Sequence, residues 1–342
     1  MRPSKEGPLG RLKKGRSVEY LVETKNIRKW FVKPGFFSSC RPRVSAVYDV
    51  SLGIPWGSSL GLIGESGSGK STLGRMMAGL EVPSEGQVLY RGTEISSLSL
   101  KAMRPYRRHI QMIFQNSAEV FDPAYTIGQS IGEMVMNNEG IRARESLLRV
   151  YDMLEQVGLD RSFADRMSHE ISGGQRQRAN IARALVVRPE LVVCDEPVSS
   201  LDYSLRKQIL TLLNTLRKKY GLTYLFITHD LYCVPYVCNG VAIMYGGKLM
   251  ERFDLDPCPL QAAVHPYTRL LLASAPVKHP SERRDFSQDL PAESQQEYTL
   301  IPDSRSCCRF YPRCENGGPR CSREEPILRA VGNRHWAACH RT

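Results

Sequence analysis

The sequence predicts an α/β fold built around a parallel sheet, and three observations predict it. Short apolar runs end in polar residues: Leu60–Ile63, Leu191–Cys194 before Asp195, and Tyr224–Thr228 before His229. From residue 70 onward such runs alternate with helical patterns, as strands with crossover helices do. The first run leads into Gly64-Glu65-Ser66-Gly67-Ser68-Gly69-Lys70-Ser71-Thr72, a glycine-rich turn that opens a helix near Lys70. Buried parallel strands deliver side chains at their carboxyl ends, where open α/β sheets hold ligands.

Residues 1–20 read as a flexible basic leader. Residues 1–45 carry twelve lysines and arginines against Glu6, Glu19 and Glu23, much of the net charge of +12. Such a patch suits anionic lipid headgroups or nucleic acid, and equally a solvated tail. β-type runs at Tyr20–Thr24 and Val44–Val50 come before Leu60–Ile63. The stretch 141–157 sets Leu147, Val150, Tyr151, Leu154 and Val157 on one helical face. Val241–Tyr245, Gly246-Gly247 and Lys248–Glu251 read as a hairpin with a glycine turn. Residues 276–306 look like a linker, and 307–342 hold five of the ten cysteines. No apolar run approaches the roughly 20 residues of a membrane-spanning helix, and no apolar stretch follows the basic start as in a secretory signal. The expected location is the cytosol, or a membrane surface to which something else holds the chain.

The glycine-rich turn has the form of a phosphate-binding loop. Gly64, Gly67 and Gly69 let the backbone bend so that N–H groups point at phosphate oxygens, and the helix N-terminus adds partial positive charge. Lys70 is expected to reach the β- and γ-phosphates of ATP, and the Ser71 hydroxyl to coordinate Mg²⁺. Asp195, ending a neighbouring strand, is expected to hold the same Mg²⁺. Glu196 follows it, positioned to polarise the attacking water as general base.

Ile171-Ser172-Gly173-Gly174-Gln175-Arg-Gln-Arg178 separates this chain from other proteins with such a loop. It resembles the signature motif of ABC ATPases, usually begun by Leu where Ile171 stands. The resemblance implies that Ser172 to Gln175 contact the ATP of a partner cassette in a head-to-tail dimer. It also implies that Gln115 is the Q-loop glutamine that senses Mg²⁺ and that Asp202, in Ser200-Leu201-Asp202, belongs to the D-loop. His229 matches the switch histidine of the γ-phosphate, and Phe31 the aromatic residue stacked on adenine, with Trp30 and Tyr48 as alternatives. The implied fold is a P-loop NTPase cassette over 21–275: a RecA-like core, an antiparallel β subdomain and a helical subdomain near 116–190. A small, separate cysteine-rich domain follows at 307–342, away from the ATP site.

His265-Pro-Tyr-Thr-Arg-Leu-Leu-Leu-Ala-Ser274 and the cysteines near the C-terminus resemble the dipeptide/oligopeptide importer ATPases. Ser168, where that family tends to have Pro, and Tyr203, Leu205, Arg206 and Lys207 depart from its pattern. The resemblance implies an ATPase subunit at the cytoplasmic face of the inner membrane. It implies two integral-membrane permeases, a second ABC ATPase subunit, expected to be a paralogue, and a substrate-binding protein acting indirectly. Nickel or metal-chelate import and a non-transport role on nucleic acid stand as alternatives, although no nucleic-acid partner is expected.

Cys308, Cys314, Cys321 and Cys339 are four thiolates able to converge. Their spacing matches neither the usual zinc pairs nor the common ferredoxin spacings. The family resemblance implies a [4Fe–4S] cluster, with Zn²⁺ or free thiols as alternatives and Cys307 as a spare ligand. Arg309, Arg313, Arg320, Arg323 and Arg334 lie close in sequence and are expected to offset the cluster's negative charge.

Overall fold

The computed structural model describes residues 19–32, 43–117, 119–256, 259–274 and 307–342. Most of the basic leader and the 276–306 linker lie outside them. Strands β1 (Tyr20–Val32), β2 (Arg43–Pro55), β4 (Glu85–Tyr90) and β5 (Thr93–Glu94) form an antiparallel sheet in the order β2-β1-β4-β5. The second sheet takes β3 (Ser59–Ile63), β6 (Ile110–Ile113), β7 (Leu191–Asp195), β8 (Thr223–Thr228), β9 (Gly240–Tyr245) and β10 (Lys248–Asp254). It also takes β11 (Arg329–Gly332) and β12 (His335–Ala337), in the order β11-β12-β10-β9-β3-β8-β7-β6.

The runs read as buried strands are buried because both faces of the central sheet are covered. Every residue of β3, β7, β8 and β9 is buried. Strand alternation divides them between two apolar layers. Leu191 and Val193 pack with Leu73, Met76 and Met77 of α1 (Lys70–Met77). Val192 and Cys194 pack with Ile209, Leu210 and Leu213 of α6 (Tyr203–Tyr220). The pairs β3·β8, β3·β9, β7·β8 and β6·β7 are parallel, so their carboxyl ends lie on one edge. The expected glycine turn joins β9 to β10, with φ 52° at Gly246 and 84° at Gly247, as a two-residue turn between twisted strands requires.

The helical part holds α3 (Ile127–Glu139), α4 (Ala143–Gln156) and α5 (Gly173–Leu185). Thr126 and Gln129 close a capping box at the start of α3, and Gly140 ends that helix in a left-handed conformation. Val150 and Leu154 of α4 are completely buried, so truncating Leu154 to Ala would cost about 2–5 kcal/mol. Leu147, expected on the same face, is 39% exposed: Ser146 turns inward instead, and its hydroxyl donates to the Gly132 carbonyl at 2.9 Å.

The tail departs from the expected separate domain. β12 pairs antiparallel with β10, matching Glu251 to Ala337 and Phe253 to His335, so the end of the chain extends the central sheet. Beneath this junction Glu251 is fully buried and satisfied. Its carboxylate accepts from the Val264 and His265 N–H groups at 2.7 and 3.2 Å and contacts His335 Nε2 at 2.7 Å. One buried carboxylate thus ties β10, the start of α8 (Pro266–Ala273) and the tail together. Among the described residues no helix is long and apolar enough to cross a membrane.

Candidate active site

The carboxyl edge of the central sheet brings together most of the residues picked from the sequence. Gly69 precedes α1 at φ 96°, and a Cβ there would sit 2.1 Å from the Ala46 carbonyl oxygen, so glycine is required. The buried Lys70 ammonium donates to the carbonyl oxygens of Gly64 at 2.8 Å and Glu65 at 2.7 Å, and to Ser68 Oγ at 3.3 Å. The Ser71 hydroxyl donates to Asp195 Oδ1 at 2.9 Å. These two side chains come from positions 124 residues apart, one opening α1 and the other ending β7.

Glu196 follows β7 with φ 46°, a left-handed conformation costly for a residue with a Cβ, of a kind that clusters at active sites. Its N–H donates to the Ile227 carbonyl at 3.0 Å, and its carbonyl oxygen accepts from the Ser199 hydroxyl at 3.1 Å. The carboxylate is bracketed: Gln115 Nε2 donates to Oε2 at 3.0 Å, and His229 Nδ1 lies 3.2 Å from Oε1. Burial pushes the Lys70 ammonium down, partly offset by Glu196, Asp195 and Glu65. Burial pushes the Asp195 carboxyl up, against the Ser71 hydrogen bond. Both shifts favour the uncharged form, and burial is the larger cause of each.

Other predicted residues have local duties. Asp202 caps α6, accepting from the Leu205 N–H at 3.0 Å. Ser172 and Gln175 form a capping box on α5: Ser172 Oγ accepts from the Gln175 N–H at 3.3 Å, and Gln175 Oε1 accepts from the Ser172 N–H at 2.9 Å. The two glycines between them differ. A Cβ on Gly173 would meet nothing within 4 Å, whereas one on Gly174 would crowd Leu205 at 3.1 Å. Gly173 thus borders open space, and Gly174 packs against its own chain. Among the three aromatic alternatives, Phe31 is 45% exposed at the end of β1. Tyr48 has Arg28, Lys248 and Arg309 stacked on its ring at 4.5–4.8 Å. Trp30 has Arg43 at 5.2 Å.

Cys308, Cys314, Cys321 and Cys339 line one cavity, together with His265 and Phe310, whereas Cys307 is not among its walls. Burial pushes the Cys308 thiol up to about 11 and the Cys314 thiol up as well. Among the described residues, no three His, Cys, Asp or Glu side chains converge on the position of a single metal ion. The four thiols therefore face one shared cavity without forming a ready single-ion site. Four of the five arginines expected to offset a cluster are engaged elsewhere. Arg309 donates to the Gly246 carbonyl and Arg313 to Glu65, while Arg320 pairs with Glu324 and Arg334 with Asp254.

The expectation of a tail remote from the ATP site is thereby overturned. Arg313 bonds both carboxylate oxygens of Glu65, a residue of the phosphate-binding loop 248 positions away. The Tyr267 hydroxyl accepts the Glu65 N–H at 3.0 Å. No local pattern could have announced either contact, because the partners lie 202 and 248 positions apart.

Comparison with known proteins agrees with this geometry. Residues 47–199 match the ABC transporter family model, and residues 260–321 match the C-terminal region of oligopeptide/dipeptide transporters. The chain is 40% identical over 332 residues to the oligopeptide transport ATP-binding protein AppF of Bacillus subtilis, covering 94% of this chain and 97% of that one. It is 39% identical over 321 residues to a probable peptide ABC transporter ATP-binding protein, y4tS, of Sinorhizobium fredii, covering 94% and 89%. A solved dimeric ATP-binding cassette in a post-hydrolysis state, bound to ADP and Pi, matches with a TM-score of 0.62 at 28% identity, covering 68% of this chain and 98% of that one. With a strand edge that joins Lys70, Ser71, Asp195 and Glu196 and relatives aligned over nearly its whole length, the chain belongs to the ABC transporter ATPases, in the oligopeptide/dipeptide transporter family.

Proposed function

We propose that this ATPase drives uptake of di- or oligopeptides across the cytoplasmic membrane. The observation that carries the hydrolytic half is the bracketing of Glu196 between Gln115 and His229, one residue beyond the Asp195–Ser71 pair. In this reading Glu196 takes the proton from the attacking water, and His229 keeps the carboxylate aimed and faces the γ-phosphate. Lys70 and the N–H groups of the loop bind the β- and γ-phosphates. Ser71, Asp195 and Gln115 would hold Mg²⁺, which supplies positive charge to the phosphate oxygens. Phe31, the exposed ring, stacks on adenine.

Ser172, Gly173, Gly174 and Gln175 serve the nucleotide of a second cassette, and Asp202 lies at the same dimer face. Two integral-membrane permeases receive the motion of the Gln115 region, and a binding protein delivers the solute to them. The peptide reading rests on the match of residues 260–321 and on the names of the aligned relatives. The subunit then works peripherally at the cytoplasmic face. In this reading the four tail cysteines, which line one cavity, would hold a [4Fe–4S] cluster, with Zn²⁺ as the alternative; either would cross-link the tail.

Reconstitution in vesicles with two integral-membrane permeases and a substrate-binding protein of this transporter family provides the test. Peptide delivered by the binding protein should raise ATP turnover and accumulate inside the vesicles. Stimulation by a nickel chelate and not by peptides would reassign the solute, and failure of Glu196→Gln to slow turnover would reassign the base.

A further inference from the structure

Glu65, the second residue of the phosphate-binding loop, is held at three points. Its carboxylate accepts from Arg313 Nη1 at 2.8 Å and Nη2 at 3.0 Å, a two-pronged, charge-assisted pair. Its N–H donates to the Tyr267 hydroxyl at 3.0 Å. Its carbonyl oxygen accepts from the Lys70 ammonium at 2.7 Å and from the Ser68 N–H at 3.2 Å. One residue therefore connects the cysteine tail, helix α8 and the lysine of the nucleotide site.

The parts behind this clamp are packed against one another. Arg313 closes the short turn Tyr311–Arg313, between Cys308 and Cys314. The Phe310 ring sits 5.3 Å from both the Tyr245 and Tyr267 rings, and the Arg313 guanidinium lies 5.6 Å over Tyr245. A second arm runs through Arg309, which donates to the Gly246 carbonyl, while the neighbouring Gly247 N–H donates to the Ser68 carbonyl at 3.1 Å. Both ends of the Glu65–Ser68 bend are thus held by the tail or by the hairpin turn it grips.

The charge on Glu65 explains why a clamp is needed. A carboxylate inside a loop that receives a polyanion repels the ligand unless a cation cancels it. Arg313 is the cation bonded to it, and side-chain exposures of 39% and 23% place the pair partly out of water.

We propose that Arg313 is a positioning residue of the ATP site: it neutralises Glu65 and, with Tyr267, fixes the bend that sets Lys70 and the phosphate-binding N–H groups. The cysteine tail then forms part of the nucleotide site. The inference rests on the Lys70 loop being that site.

Titration of the full-length chain with fluorescent Mg-ATP tests it. Arg313→Ala should weaken binding about three- to tenfold, the worth of a partly exposed ion pair with good geometry. Arg313→Lys, which keeps the charge and loses the fork, should fall between wild type and Arg313→Ala. The decisive arm is Arg313→Ala with Glu65→Gln: removing the carboxylate should recover the repulsive part of the loss and leave affinity between Arg313→Ala and wild type, the remaining deficit being the lost hold on the bend. In the assembled transporter, KM for ATP should rise with Arg313→Ala while kcat stays within about twofold. An unchanged Kd in Arg313→Ala, or a double variant weaker than the single one, would overturn the proposal. Should Arg313→Ala fail to fold, Arg313→Lys with and without Glu65→Gln carries the same comparison. Lys70→Ala must abolish binding in the same assay; if it does not, the site assignment fails rather than the clamp.

Discussion

The Gln115 carboxamide donates to Glu196 Oε2 at 3.0 Å, across the carboxyl ends of the adjacent parallel strands β6 and β7. The residue expected to report on the membrane subunits is therefore bonded directly to the residue expected to activate water. If Glu196 is the base, as proposed, a shift of the segment after β6 would change its aim without passing through the rest of the core.

Glu196→Gln keeps the shape of this arrangement and removes the base. ATP affinity should hold within a few-fold, while single-turnover phosphate release in the assembled complex should slow by about 10²–10⁴. Wild-type release would move the base to another residue.

Ser172 both caps α5 and is expected to face a partner's nucleotide, and two substitutions separate these duties. Ser172→Ala and Ser172→Arg should each cost about 1 kcal/mol in thermal or denaturant unfolding, through loss of the cap. The Arg variant alone should abolish ATP-dependent association, with binding at the Lys70 site intact. Equal loss of association in both variants would assign the effect to the cap.

Glu190 joins the two sheets. It accepts from Arg91 Nε at 2.9 Å and from the Tyr90 hydroxyl, and His109 lies 3.5 Å away. Burial alone would raise its carboxyl, but His109, Tyr90 and Arg91 bring it down to about 2 from the usual 4.5. A depressed carboxylate stabilises the folded state above its unfolded pKa, and that contribution is lost as pH falls from about 4.5 toward 2. Glu190→Gln should lower the melting temperature at pH 7 and shrink the difference from wild type as pH is lowered through this window. A constant difference across the window would show that packing, not charge, makes the contribution.

A cluster in the tail, as proposed above, would be visible directly. Anaerobically purified protein is expected to be brown, with broad absorption that dithionite bleaches, whereas zinc would leave it colourless with about one equivalent of metal. Ser at Cys308, Cys314, Cys321 or Cys339 should lower iron content and expose 307–342 to proteolysis, and Ser at Cys307 should do much less. Because Arg313 reaches Glu65, the first four variants should also weaken ATP binding a few-fold. Zinc without iron would replace the cluster and leave the Arg313 contact standing.

The sequence by itself determined the catalytic edge. Lys70, Ser71, Asp195 and Glu196 were legible because each follows or ends a short continuous apolar run, and the end of a buried strand has a local signature in the glycine turn or polar residues that close it. Gln115 and His229 entered through motif resemblance, which reports positions along the chain and says nothing of their bonds to Glu196. Only the tertiary structure decided that Leu147 faces out, that Gly174 packs against Leu205, and that the tail joins β10 as a strand. It also decided that Arg313 serves Glu65, where the sequence had suggested a cluster's charge. The physical reason is range. Helix and strand periodicity fix which way a side chain points within a few residues, whereas the Arg313–Glu65 bond spans 248 positions and joins a tail that pairs with β10 through β12 and packs Phe310 against Tyr245 and Tyr267.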